Sequence, residues 1–186
     1  MTLTVDAYKT GYLPTWCPGC GDFGIWMALK NALVELGLGP DGVLLVYGIG
    51  CHGNMYSWMR TYGVEGLHGR ALPVAQGAKL ANHTVPVVVI SGDGDCLGEG
   101  GNHFIHAAKR NPDVTVLIHD NQVYGLTTGQ ASPTAKDNLK TKSTPDGVVD
   151  APVNPLSLAL VSGATFVARG FAGDMPGLTK LIVESI

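Results

Sequence analysis

The sequence predicts an α/β fold, a mostly parallel sheet with helices on both faces, and three observations carry that prediction. Three short apolar runs, "GVLLVYG" (42–48), "VPVVVISG" (85–92) and "VTVLIHD" (114–120), are rich in β-branched residues and do not alternate with polar ones. Strands of that kind are buried on both faces, as in a parallel sheet. Stretches of helical period lie between the runs, and strand alternating with helix is the pattern of a doubly covered parallel sheet. At 186 residues, 45% of them apolar, the chain is long enough to bury one core, and we read residues 1–186 as a single domain.

The helices follow from spacing and stop signals. "DFGIWMALKNALVELG" (22–37) places apolar residues at 25, 29, 33 and 36 and ends on a glycine. "ALPVAQGAKLAN" (71–82) and "GNHFIHAAKRN" (101–111) keep the same period, the second ending before Pro112. A weaker strand is expected at "ATFVARG" (164–170), followed by a helix over "MPGLTKLIVES" (175–185). Residues 131–154 show no apolar period and form a long loop, the kind of segment that often binds or covers a ligand. The last helix stops at Ile186 without a cap or glycine, which suggests a C-terminally truncated chain.

Composition excludes several classes. The net charge is −3 and no Lys/Arg cluster stands out, so no nucleic-acid surface is expected. No apolar run approaches the length of a membrane span. The start, "MTLTVDAYKT", lacks a basic-then-apolar signal pattern, and a cytoplasmic location is expected. Four cysteines without a secretory signal point to metal or redox chemistry before disulfides.

The chemistry concentrates in "SGDGDCLGEGGNHFIHAAKRNPDVTVLIHDNQVYGLT" (91–127). One strand delivers Gly92-Asp93-Gly94 to its carboxyl edge, a helix follows, and the next strand ends in Asp120-Asn121. Ligands of open α/β sheets bind outside such ends, so Asp93 and Asn121 can meet at one point. A carboxylate, an amide oxygen, a backbone carbonyl and phosphate oxygens make the hard oxygen cage that Mg²⁺ prefers. The flanking glycines let backbone N–H groups approach a diphosphate at the start of a helix.

"WCPGCG" (16–21) sets Cys17 and Cys20 on either side of a Pro-Gly turn, so that one metal centre can take both sulfurs. Cys51, after the end of a strand in "GIGC" (48–51), points to the same sheet edge. The residues alone fit either a zinc site completed by His52 or His68 or an iron–sulfur centre. Cys96 lies within the glycine turn and is read as a small packing residue.

Taken together, the Gly-Asp-Gly and Asp-Asn pair resembles the thiamine-diphosphate signature. "WCPGCGDFGI", "GIGCHG", "LHGRALPVAQGAKLAN", "SGDGDCLGEGG", "DNQVYGLTTGQASPT" and "NPLSLALVSGATFVARG" resemble in order the β subunit of 2-oxoacid:ferredoxin oxidoreductases, over residues 12–186. The resemblance implies the thiamine diphosphate-binding fold. It implies Mg²⁺ held by Asp93, Asn121 and the Val123 carbonyl, with Gly92, Gly94, Asp95 and the loop Tyr124, Gly125, Leu126, Thr127 cradling the diphosphate. Ile49, Gly50 and Cys51 would reach the cofactor's rings, and His68 would have a direct role beside it. Cys17, Cys20 and Cys51 would ligate a 4Fe–4S cluster whose fourth ligand lies outside this chain. The implied activity is CoA-dependent oxidative decarboxylation of a 2-oxoacid, with electrons passed to ferredoxin. The activating glutamate would come from an α subunit in a heterodimer or heterotetramer, since neither Glu65 nor Glu99 is a candidate. Asn54 and Thr128 stand where some relatives carry lysines that meet the substrate, so a distal carboxylate would lack a partner, which leans towards smaller or apolar 2-oxoacids. A non-redox thiamine-dependent decarboxylase subunit and a degenerate non-catalytic scaffold are the competing readings.

Overall fold

The computed structural model describes residues 2–186. At its centre is a four-stranded parallel sheet in the order β2-β1-β3-β4, built from β1 (Leu44–Tyr47), β2 (Tyr62–Glu65), β3 (Val87–Gly92) and β4 (Thr115–His119). The three expected central strands are all present. The edge strand β2, "YGVE", escaped the sequence reading because it is short, mostly exposed and not apolar. A 3₁₀ segment, Gly53–Trp58, rather than an α-helix makes the crossover from β1 to β2.

Consecutive residues of the central strands feed opposite cores. Leu45, Tyr47, Val88 and Ile90 face a cluster with α1 (Asp22–Glu35) and α5 (Met175–Ser185), including Leu29, Leu33 and Ile182. Val46, Val87 and Val89 face a second cluster with α2 (Ala71–Ala81), α3 (Gly101–Arg110) and α4 (Pro155–Ser162). Helices therefore cover both faces, and the apolar runs without alternation reflect burial on both sides.

Helix ends follow local chemistry. Beyond α1, Gly37 adopts a left-handed φ of +69° and the Leu38 N–H returns to the Leu33 carbonyl at 2.9 Å, as the glycine stop predicts. The α5 cap is Asp174, whose carboxylate accepts the Gly177 N–H at 3.1 Å. The sequence reading missed α4, although Asn154 caps it, Pro155 opens it and Gly163 closes it.

One expected element is absent. Residues 164–170 form no strand. They lie across a groove of about 1580 Å³ from β4, whose outer edge pairs with no other strand among the described residues. An extended segment without a neighbour in hydrogen-bonding range makes no ladder, however β-prone its side chains. A two-stranded antiparallel hairpin, β5 (Val123–Tyr124) with β6 (Gln130–Ala131), follows β4 and opens the long loop. That loop is pinned at its ends, the Val153 N–H meeting the Pro133 carbonyl at 2.8 Å. No helix among the described residues is long and apolar enough to cross a membrane.

Candidate functional site

The sheet register brings the expected site residues to one edge. Gly92 of β3 pairs with His119 of β4, so Asp93 and Asp120 leave the sheet level with each other. β1 ends beside them, its continuation tied by the Gly48 N–H to the Ile90 carbonyl at 2.9 Å. Beyond Asp93 the chain enters a π-helical turn, Gly94–Glu99, before α3. Such turns are rare and gather at functional sites. A side chain on Gly94 would begin 2.4 Å from the Tyr124 ring, so only glycine fits where this turn meets the hairpin.

Asp95, expected in the diphosphate cradle, turns its carboxylate inwards. Oδ1 accepts the backbone N–H groups of Gly69 at 2.7 Å and Ile49 at 3.1 Å and faces His68 Nδ1 at 2.7 Å, while Oδ2 accepts the Ser91 hydroxyl at 2.5 Å. One buried carboxylate thus ties together the ends of β1 and β3 and the "LHGR" turn (67–70). Burial alone would raise its pKa, but the hydrogen bonds outweigh burial and hold it at about 2. His52 is the first of the lowering partners, its Nε2 3.7 Å from Oδ2, with Ser91 and Gly69 after it, and the same nitrogen accepts the Gly92 N–H at 3.0 Å. Burial pulls the His52 pKa down, in keeping with a neutral ring that accepts. Gly48 is required here, since an added Cβ would sit 1.8 Å from Asp95 Oδ2. The role of Asp95 was invisible in the sequence because its four partners come from three separate segments.

His68 is part-exposed, its Nδ1 side is fixed by Asp95, and its ring lies 6.1 Å from that of Tyr124. Asp93 is buried, 2% exposed, and its Oδ2 accepts from the Gln122 N–H at 3.0 Å and from the Ser132 and Thr134 hydroxyls. Asn121 accepts the Val123 N–H at 3.0 Å in a local turn, and Gln122 takes a left-handed φ of +66°. The strand ends carrying Asp93 and Asn121 therefore converge. Thr128, with φ +80°, lies at the exposed tip of the hairpin, and Asn54 lies in the 3₁₀ crossover, half-buried.

The cysteines divide in two. Cys96 is 2% exposed in the second core, where burial pushes its thiol up to about 12. Cys17, Cys20 and Cys51 lie on the first side, all free. Burial raises the Cys20 and Cys51 thiols, and charge coupling links Cys51 to both Cys20 and Cys17. Trp16 joins the two halves: its indole N–H donates to the Cys51 carbonyl at 2.7 Å, and its ring packs edge-on against Phe23, Trp26 and Trp58. Asp22, next to the pair, meets His119 Nδ1 at 2.6 Å and so fastens the cysteine segment to the end of β4. Burial would raise Asp22, yet the His119 contact outweighs it and the carboxyl lies below its usual range.

No three His, Cys, Asp or Glu side chains among the described residues stand close enough to hold one metal ion. A zinc site would need sulfurs about 3.8 Å apart around a centre with Zn–S bonds near 2.3 Å. Mg²⁺ needs no such trio, since its expected set here is one carboxylate, one amide and a backbone carbonyl.

Comparison with known proteins agrees with this picture. Residues 48–182 match the family described as "Thiamine pyrophosphate enzyme, C-terminal TPP binding domain". A 2-oxoacid:ferredoxin oxidoreductase subunit beta from Saccharolobus solfataricus is 53% identical over 92% of this chain, which spans 57% of that relative's length. The 2-oxoglutarate synthase subunit KorB of Archaeoglobus fulgidus is 42% identical over 97% of this chain and 68% of its own. The solved 2-oxoglutarate:ferredoxin oxidoreductase from Magnetococcus marinus, with 2-oxoglutarate, coenzyme A and succinyl-CoA bound, superposes with a TM-score of 0.96 at 40% identity, covering 98% of this chain and 63% of its own. This chain accordingly belongs to the thiamine pyrophosphate enzyme C-terminal TPP-binding family and, within it, to the β subunits of 2-oxoacid:ferredoxin oxidoreductases.

Proposed function

We propose that the protein carrying this chain converts a 2-oxoacid and coenzyme A to acyl-CoA and CO₂, passing electrons through a 4Fe–4S cluster to ferredoxin. The observation that carries the reading is Gly125: a side chain there would begin 3.5 Å from Cys51 Sγ and 3.6 Å from Asn121 Nδ2. A cysteine thiol and a cation-site amide thus flank one loop, an arrangement with a use in electron transfer and none in simple decarboxylation. When bound, thiamine diphosphate supplies the electron sink and the cluster accepts electrons singly.

The chain's own residues then have distinct tasks. Asp93, Asn121 and the Val123 carbonyl hold Mg²⁺, and the backbone of Gly92, Gly94, Asp95 and Tyr124–Thr127 receives the diphosphate. Ile49, Gly50 and Cys51 border the cofactor rings. His68, oriented by Asp95, offers Nε2 at the mouth of the site. Cys17, Cys20 and Cys51 give three thiolates, and the fourth comes from outside residues 1–186, because Cys96 is sealed in the opposite core. A partner α subunit supplies the activating glutamate, in a cytoplasmic heterodimer or heterotetramer. Neutral Asn54 and Thr128 leave a distal substrate carboxylate without a charged partner, which favours smaller or apolar 2-oxoacids, although relatives named for 2-oxoglutarate lie nearby in sequence.

The test uses the full-length β subunit co-expressed with its α subunit and purified without oxygen. A reducible EPR signal, binding of thiamine diphosphate with Mg²⁺, and CoA-dependent ferredoxin reduction are expected. Cofactor binding and CO₂ release without iron would establish the non-redox decarboxylase instead, and no cofactor binding at all would leave a scaffold. Preference for 2-oxoglutarate over pyruvate in kcat/KM would overturn the substrate assignment alone.

A further inference from the structure

The hydroxyls around Asp93 have no role in anything above. The hairpin turns through Thr128 (φ +80°) and Gly129 (φ +100°), and Ser132-Pro133-Thr134 returns beneath the end of β3. The Ser132 N–H meets the Gln122 carbonyl at 3.3 Å, which fixes that return. Ser132 Oγ then donates to Asp93 Oδ2 at 2.5 Å, and Thr134 Oγ1 lies 2.6 Å from the same oxygen. The Gln122 N–H completes the set at 3.0 Å. Thr134 Oγ1 also stands 2.9 Å from Asp120 Oδ1. Both hydroxyls are buried, 6% and 5% exposed.

The arrangement is one-sided. Three donors converge on Oδ2, none among the described residues donates to Oδ1, and the Asp120 carboxyl stands within reach of the Asp93 side chain. A carboxylate held by one oxygen cannot rotate, so its other oxygen keeps a fixed direction. Thr134 has a single proton for two carboxylates, and its place between Asp93 and Asp120 holds those two strand ends at a set separation. Buried charges held this closely need donors or a cation to offset them.

We propose that Ser132 and Thr134 are positioning residues for the divalent cation, fixing the Asp93 carboxylate through Oδ2 so that Oδ1 is presented to the ion. This rests on Asp93 being the cation's ligand, as proposed above. It also gives the start of the long 131–154 loop a function: the loop is anchored on the cation's own ligand. Outer partners that orient a metal ligand commonly change affinity about 10–100-fold when removed.

The test is made on the full-length αβ complex, with Mg²⁺ titrated by calorimetry at fixed thiamine diphosphate and with Mn²⁺ read by EPR as a stand-in. Ser132→Ala and Thr134→Val are each expected to weaken the cation about tenfold. Thr134→Ser, which keeps the hydroxyl, is expected to restore it. At saturating Mg²⁺ the affinity for thiamine diphosphate should return to the wild-type value, which a collapsed site would not do. Asp93→Asn separates the two ideas. If it abolishes cation binding while Ser132→Ala and Thr134→Val bind within twofold of wild type, the positioning role is refuted and the ligand assignment stands. If Asp93→Asn itself binds normally, the ligand assignment fails and the positioning role with it. Should Thr134→Val fail to fold, Ser132→Ala decides alone.

Discussion

Replacing Asp95 by asparagine keeps the shape of the side chain and removes the charge on which three chain segments converge. In the folded protein the carboxyl titrates at about 2, against an ordinary 3.8. That displacement corresponds to about 2 kcal/mol of stability at pH 7. The bonds to Ile49, Gly69, His68 and Ser91 become neutral ones, which are roughly half as strong. A total loss of about 2–3 kcal/mol follows, or roughly 5–10 °C in Tm for a domain of this size. Because the folded pKa is depressed, the contribution is complete above about pH 4 and is lost as pH falls towards 2. The gap between wild type and Asp95→Asn should therefore be full at pH 7 and shrink below pH 4. Gly48→Ala supplies a cross-check, since its methyl would lie 1.8 Å from Asp95 Oδ2 and must displace that carboxylate. In an Asp95→Ala background the same change should cost less than half as much, a coupling that a double-mutant cycle measures. Thermal unfolding of the assembled full-length complex between pH 7 and pH 3 provides the data. A Tm shift below 2 °C, or strict additivity with Gly48→Ala, would refute the assignment of Asp95 as the organiser of this sheet edge.

Cys51→Ser should abolish the iron EPR signal, whereas Cys96→Ala should keep it and cost only ~1 kcal/mol in unfolding, since that thiol is a small side chain buried in the second core. Trp16→Phe removes the hydrogen bond to the Cys51 carbonyl and part of an aromatic cluster. We expect a loss of about 1–2 kcal/mol and an altered EPR spectrum, and an unchanged spectrum would show that Trp16 only packs. Lys30 is 2% exposed with its ammonium 3.1 Å above the Trp26 ring, and burial lowers its pKa to about 8. The displacement from 10.5 costs roughly 3 kcal/mol below pH 8, and the cation–π contact returns about 2. Lys30→Met should consequently stabilise the protein by about 1 kcal/mol at pH 7. The gain should fade as pH rises from 8 to 10.5, as denaturant midpoints at several pH values would record.

The buried strands and the helices with clear stops were legible because their signals are local. The run "VPVVVI" reports burial on two faces wherever it sits, and Gly37 reports a left-handed turn. Residues 164–170 carry the same β-branched signal and form no strand, because a strand also needs a neighbour, which composition cannot supply. β2 is the converse: "YGVE" has no signal of its own and is a strand because β1 lies beside it.

The same division runs through the site. By itself the sequence determined the glycine turns, the Cys17–Cys20 spacing and the placing of Asp93 and Asn121 at strand ends, all set by neighbours along the chain. Only the tertiary structure decided that Asp95 faces inwards, that Trp16 reaches the Cys51 carbonyl, and that Ser132 and Thr134 close on Asp93. Those contacts join residues 35 to 46 positions apart. A hydrogen bond depends on distances of a few tenths of an ångström, and between distant segments those are fixed only by the packing of the whole sheet edge.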